Sequence, residues 1–223
     1  MKIVGWKIGR VGPEFEERFG QARLAGPIFR RGLRHARANE PVAFPVFKGG
    51  FAAVEAEFVF VLANDAPAGK LSWTLDEARA LIAAMHYRHR DGGKSSWRHQ
   101  RARSGRRGQR FRKQCGTDPR TCRRGLESLP RDRADLRDLH RGRVGGQGCR
   151  SDLPGGPVEA LRFLLEHCAQ RGRPLKAGML VSTGAATGIH EIAAGQRARV
   201  DFGALGAIEC VAVVARPEGG SRG

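Results

Sequence analysis

The chain has 223 residues, with 40 Lys and Arg against 22 Asp and Glu and a pI near 11.2. Such a length is one domain, or a domain with an insert, and no apolar run approaches the roughly 18 residues of a membrane span. No membrane partner is expected, and the opening Met1-Lys2-Ile3-Val4-Gly5-Trp6 lacks a signal-peptide layout, which makes the cytoplasm the expected compartment. The five cysteines (Cys115, Cys122, Cys149, Cys168, Cys210) form no C-x-x-C pair, and their odd number argues against a disulfide framework or a zinc knuckle.

The first apolar pattern with a clear period is Phe51–Ala63. Val54, Ala56, Phe58, Phe60 and Leu62 alternate with Glu55, Glu57, Val59 and Val61, which predicts a strand with two glutamates on one face, about 7 Å apart at their Cα atoms. Thr74-Leu-Asp-Glu77 predicts a capping box, opening a helix whose Ala78, Leu81, Ile82 and Met85 share a face. His86 and His89 then have the spacing of two ligands on one helix face, but His89 already belongs to the anomalous segment that follows, and no metal role is expected for the pair.

From Tyr87 to Arg150 the composition changes. The stretch holds 20 Lys and Arg against 6 Asp and Glu, so it carries 14 of the chain's 18 excess positive charges. It has no Ile or Met, one Val (Val144) and four Leu. Such a segment buries little aliphatic surface and is not expected to form the middle of a packed domain. Gly92-Gly-Lys-Ser95 imitates the end of a phosphate-binding loop, but Arg88 stands where that loop needs glycine. A strongly basic chain ordinarily implies nucleic acid, and the arginines from Arg101 to Arg112, with Trp97 and Phe111 as stacking surfaces, make an RNA- or DNA-binding protein the alternative from another class.

A reading frame displaced by one nucleotide accounts for the segment better. Off-frame codons of a GC-rich gene are dominated by CGN and GGN, which yield arginine and glycine. Tyr87–Ser95 can be written TAT CGG CAT CGA GAT GGC GGC AAG TCC, and without its first base it reads IGIEMAAS. In the same frame Gln109–Cys115 can encode SDFGNNA, and the codons leading to Gly148 can encode ETFIEGVSVGKG. Ile, Val and Phe return, in strand-like alternation, and a compensating one-base loss near Cys149 and Arg150 restores the frame at Ser151. Nucleic acid is therefore not the expected partner.

Beyond the segment, Pro157 opens a helix with an apolar stripe of Ala160, Leu161, Leu164, Leu165 and Cys168, and Gly172 suits its exit. Strand-like runs follow at Met179–Ser182, Ala198–Phe202 and Ile208–Val214, interrupted by Gly184, Gly188, Gly195, Gly203 and Gly206. His167 and His190 read as surface or helix-end histidines, and residues 217–223 as a frayed tail.

In order, Gly5-Trp-Lys-Ile-Gly9, Gly26-Pro-Ile-Phe29, Val54-Glu-Ala-Glu-Phe58, Gly155–Leu161, Leu175-Lys-Ala-Gly178 and Ser182-Thr-Gly-Ala185 resemble the motifs of the 2-keto-4-pentenoate hydratase branch of the fumarylacetoacetate hydrolase-like superfamily. The resemblance covers about 1–86 and 151–216. It implies one hydratase-like domain over 1–223, of class α+β, built as a mixed β-sandwich roll with residues 87–150 disrupted. It implies Mg²⁺ (or Mn²⁺) on Glu55 and Glu57, with Lys7 catalytic and Ser182, Thr183 and Gly184 binding substrate. The substrate class is a 2-oxo or 2-hydroxy dienoic acid from aromatic-compound degradation, and the expected reaction is hydration. Related decarboxylases and carbon–carbon hydrolases chelate the same kind of acid, and a homo-oligomer is expected. Two departures stand out. Relatives carry some tens of helical residues before the Gly-Trp-Lys motif, which here begins at residue 5, so the start is expected to be truncated or misassigned. The third metal carboxylate of the resembled enzymes falls in the alternative text IGIEMA, across the codons of Arg90 and Asp91.

The residues themselves leave blander readings open. Glu55 and Glu57 would form a solvated strand face, Lys7 an exposed surface lysine, and the Ser182–Gly184 run a plain turn.

Overall fold

The computed structural model describes residues 2–35, 40–93, 108–113, 133–138, 143–149, 155–202 and 206–215. Within them the chain begins with strand β1 (Ile3–Arg10), a short helix α1 (Pro13–Phe19), and strands β2 (Arg23–Phe29), β3 (Leu33–His35), β4 (Val42–Val46) and β5 (Ala52–Leu62). Helix α2 (Leu75–Ala80) and strands β6 (Ile82–Gly93), β7 (Gly108–Lys113), β8 (Arg133–Asp138) and β9 (Arg143–Cys149) follow. Helix α3 (Gly156–Gln170) and strands β10 (Leu180–Ala185), β11 (His190–Glu191), β12 (Arg197–Asp201) and β13 (Ala207–Val214) complete the order.

The strands make two mixed sheets. The first runs β2-β1-β10-β5-β6-β7-β3, with β11 also pairing with β5; the second runs β4-β13-β12-β8-β9. Strand β5 is central because its alternating side chains bury two separate cores. Val54 and Ala56 pack against Phe44, Val46, Val200, Ile208 and Cys210 of the second sheet. Further along the same face, Phe60 and Leu62 pack against Leu161, Leu164, Leu165 and Cys168 of α3, together with Trp73 and Ala78. Phe58 lies between them, edge-to-face with Phe202 at 6.5 Å. The apolar stripe of α3 is thus buried as its period of 3.6 predicts.

Glycine decides one contact. Strands β1 and β10 run parallel with Gly5 opposite Leu180, and a Cβ at position 5 would stand 2.1 Å from the Leu180 carbonyl oxygen.

Two expectations change. Thr74 and Glu77 do form the capping box, but α2 ends at Ala80 and Ile82 already belongs to β6. Ile82 and Met85 still pack on the α3 core, and they reach it as strand residues because β6 pairs with β5 along its whole length. The Arg-rich segment also supplies backbone to both sheets, contrary to the expectation from its composition. Its strands β7, β8 and β9 lie towards the sheet ends, and main-chain ladders need no particular side chain. The tail and the Lys94–Ser95 end of the loop-like motif lie outside the described residues, while Gly92 and Gly93 are in β6.

The loop before α2 is tied to α3 by ions. The Trp73 amide donates to Glu166 Oε1 at 3.0 Å, and Arg162 donates twice to Glu159 at 2.7 Å and once to Glu166 at 2.9 Å. The hydrogen bonds from Arg162 hold the Glu159 carboxyl below the usual carboxylate range. A carboxyl whose folded pKa is depressed stabilises above its unfolded value, and the contribution is lost as pH falls through the folded one. Arg162→Met should therefore cost about 0.5–1 kcal/mol at pH 7, with a smaller difference from the parent in urea melts at pH 3.

Candidate active site

The face of β5 opposite its cores is polar and nearly closed to water. Glu55 is 4% exposed and Glu57 0%, which removes the reading of a solvated strand face. The neighbouring strands bring further functional groups to the same face through register alone. Lys7 pairs with Ser182 across β1 and β10, Ser182 with Val59 across β10 and β5, and Val59 with His86 across β5 and β6. Directly opposed residues of paired strands share a face, so Lys7, Ser182, Val59 and His86 form a transverse row over four strands. Glu57 lies two residues from Val59, beside that row, and Glu55 one step further.

Each side chain in the row has a local reason for its place. Lys7 is half-buried and its stem crosses Gly26 of β2, where a Cβ would lie 3.0 Å from Lys7 Cε. The Ser182 hydroxyl donates to Glu57 Oε2, and both residues are fully buried. His86 is 8% exposed. On a helix it would sit above position 89; on β6 the two positions have opposite parity, and His86 instead joins the row on the Glu57 face. The sequence reading missed the place of His86 because it carried the helix to Met85, five residues past its end at Ala80. The change of period at Ile82, from helical to alternating, is the signal that would have corrected it.

The β10–β5 register breaks between Ser182 and Ala185, and hydroxyls fill the break. Thr183 Oγ1 donates to the Phe58 carbonyl at 3.1 Å, the Ala56 amide donates to Thr187 Oγ1 at 3.3 Å, and the Ala186 amide donates to the Ala56 carbonyl at 2.8 Å. Gly184 makes the bend with φ +104°, a conformation that favours glycine. Thus Ser182, Thr183 and Gly184 form an ordered bulge next to Glu57, and the Thr183 hydroxyl serves the sheet. His190 secures the far end of this loop, with Nε2 2.6 Å from the Thr187 carbonyl oxygen, and His167 stacks on Phe163 at the end of α3.

The donor chemistry suits a hard divalent cation. Two buried, oxygen-only carboxylates on one face match Mg²⁺ or Mn²⁺, which bind to one or two carboxylates and complete an octahedron with water or substrate oxygens. Among the described residues no group of three His, Cys, Asp or Glu side chains is gathered for a metal. Among them also, no helix is long and apolar enough to cross a membrane.

Solved structures share this architecture. The 4-oxalocrotonate decarboxylase from Pseudomonas putida G7, in complex with magnesium and adipate, superposes with a TM-score of 0.74 at 18% identity, over 95% of this chain and 78% of that one. The fumarylpyruvate hydrolase from Pseudomonas aeruginosa, in complex with Mn²⁺ and pyruvate, gives 0.66 at 15% identity, over 94% and 89%. A yeast fumarylacetoacetate hydrolase family protein gives 0.64 at 11% identity, over 98% and 95%. The chain has the fold of fumarylacetoacetate hydrolase-like proteins. No protein-family model matches it, and no curated sequence does. At these identities the likeness establishes the fold and leaves the chemistry to the site.

The Thr183 contact makes a direct prediction. Thr183→Val should cost about 1–2 kcal/mol in urea unfolding by removing the donor to the Phe58 carbonyl, and Thr183→Ser should keep most of that stability.

Proposed function

We propose that this chain derives from a metal-dependent enzyme acting on a 2-oxo or 2-hydroxy dienoic acid, with hydration of a 2-hydroxy-2,4-dienoate such as 2-keto-4-pentenoate as the reaction. The observation that carries the reading is the pair of buried carboxylates, Glu55 and Glu57, on a sheet face that also carries Lys7. Glu55 and Glu57 would hold Mg²⁺ or Mn²⁺, which when bound supplies Lewis-acid stabilisation of charge on the 2-oxo or enol oxygen. Lys7, with its stem over Gly26, supplies an ammonium for the substrate carboxylate and a proton donor at the edge of the same face. The buried floor keeps water from screening these charges. A decarboxylase or carbon–carbon hydrolase is the second reading, favoured by the likeness to the decarboxylase and the hydrolase. We also propose a homo-oligomer; the exposed Phe47, Val213 and Val214, along β13 and just past β4, offer apolar surface for it.

The displaced reading frame belongs to the same proposal. Position 90 pairs with Glu55 and position 91 with Val54, and the alternative frame encodes glutamate across those two codons. Such a residue would lie on the strand beside Glu55, where the resembled enzymes require a third carboxylate. As written, the chain has Arg90 there.

The test compares two full-length proteins, the chain as written and one with the frame restored over 87–150. The restored chain should hydrate 2-hydroxypenta-2,4-dienoate in a Mg²⁺-dependent way and bind Mn²⁺ at least about tenfold more tightly. The chain as written should show no hydration; robust turnover by it would refute the frame reading. Glu57→Gln should abolish Mn²⁺ binding in both. Resequencing codons 80 to 155 decides the frame independently.

A further inference from the structure

We propose that Ser182 is a positioning residue for Glu57, not a contact of the substrate. The inference rests on the metal-site reading above and departs from the role that the motif resemblance implies for Ser182. Its hydroxyl donates to Glu57 Oε2, and neither residue is exposed to water. A hydroxyl sealed at 0% exposure and already donating to a carboxylate has no proton left to offer an incoming acid.

The backbone explains why serine can hold this place. Position 182 is the last regular pairing of β10 with β5 before the bulge, opposite Val59 and in register with Lys7. Beyond it the Thr183 and Thr187 hydroxyls and the Ala186 amide lock the bulge to β5. The Ser182 side chain therefore starts from a fixed main chain on both sides. Its bond to Oε2 restrains the rotamer of the Glu57 carboxylate. Partners of this kind orient a ligating carboxylate, and their loss typically weakens metal binding about 10–100-fold.

The full-length chain and its Ser182→Ala and Ser182→Thr variants would be titrated with Mn²⁺, following free Mn²⁺ by electron paramagnetic resonance. Pyruvate would then be titrated at saturating Mn²⁺, and urea midpoints recorded. The expected result is a loss of Mn²⁺ affinity of about tenfold or more in Ser182→Ala, with less than about twofold change in pyruvate affinity. Ser182→Thr keeps the hydroxyl and should stay near the parent, and its behaviour decides the matter if the alanine variant does not fold. Unchanged Mn²⁺ affinity in Ser182→Ala, or a loss confined to pyruvate, overturns the positioning role and leaves the metal site standing. Absence of Mn²⁺ binding by the unsubstituted chain overturns the metal reading itself, and this inference with it.

Discussion

Strand β5 must keep two carboxylates buried on one face while its other face closes two cores, and the rest of the structure is arranged around that demand. Removing a carboxylate from water costs several kcal/mol unless a partner or ion compensates. Ala56, Phe58 and Phe60, all at 0% exposure, commit the opposite face to the interior. Because side chains alternate with a period of two, a slip of one residue would send Glu55 and Glu57 into the aliphatic core and Phe58 into the site. The apolar alternation of β5 is therefore what orients the glutamates.

Register carries the constraint sideways. Lys7 and Ser182 are far apart in sequence, and the parallel β1–β10 pairing sets them side by side because Gly5 lets the two backbones approach at Leu180. On the other side, the antiparallel β5–β6 pairing brings His86 opposite Val59. A polar row over four strands thus depends on two ladders and one missing side chain. The bulge after Ser182 ends that regularity where the chain must turn, and threonine hydroxyls replace the main-chain partners that the ladder loses there.

Much of this was legible in the sequence, for reasons that are local. The alternation of Val54 to Leu62, the capping box at Thr74 and the stripe from Ala160 to Cys168 each depend on residues within a few positions of one another. The partner of Ser182 was not legible, since its bond to Glu57 crosses 125 residues. Nor was the end of α2. Ala78, Leu81, Ile82 and Met85 fit a helical face, and the long β5–β6 pairing overrides that preference after six helical residues. The same override placed His86 in the row instead of beside His89. The strands of the basic segment were missed because composition speaks to side-chain burial, whereas a sheet edge asks only for main-chain hydrogen bonds.

The basic segment then has two properties that are hard to reconcile in one natural sequence. Its backbone runs as strands at 108–113, 133–138 and 143–149, and its side-chain complement of 20 Lys and Arg offers little to pack between sheets. On the frame reading proposed above, that conflict would ease along β8 and β9. The text ETFIEGVSVGKG, which runs from the end of β8 into β9, would return Phe, Ile and Val to strand positions. At β6 the argument tightens from composition to chemistry. The ladder with β5 continues unbroken past His86, so whichever residue is encoded at position 90 stands opposite Glu55. One nucleotide thus decides which residue type stands opposite Glu55 in the ladder.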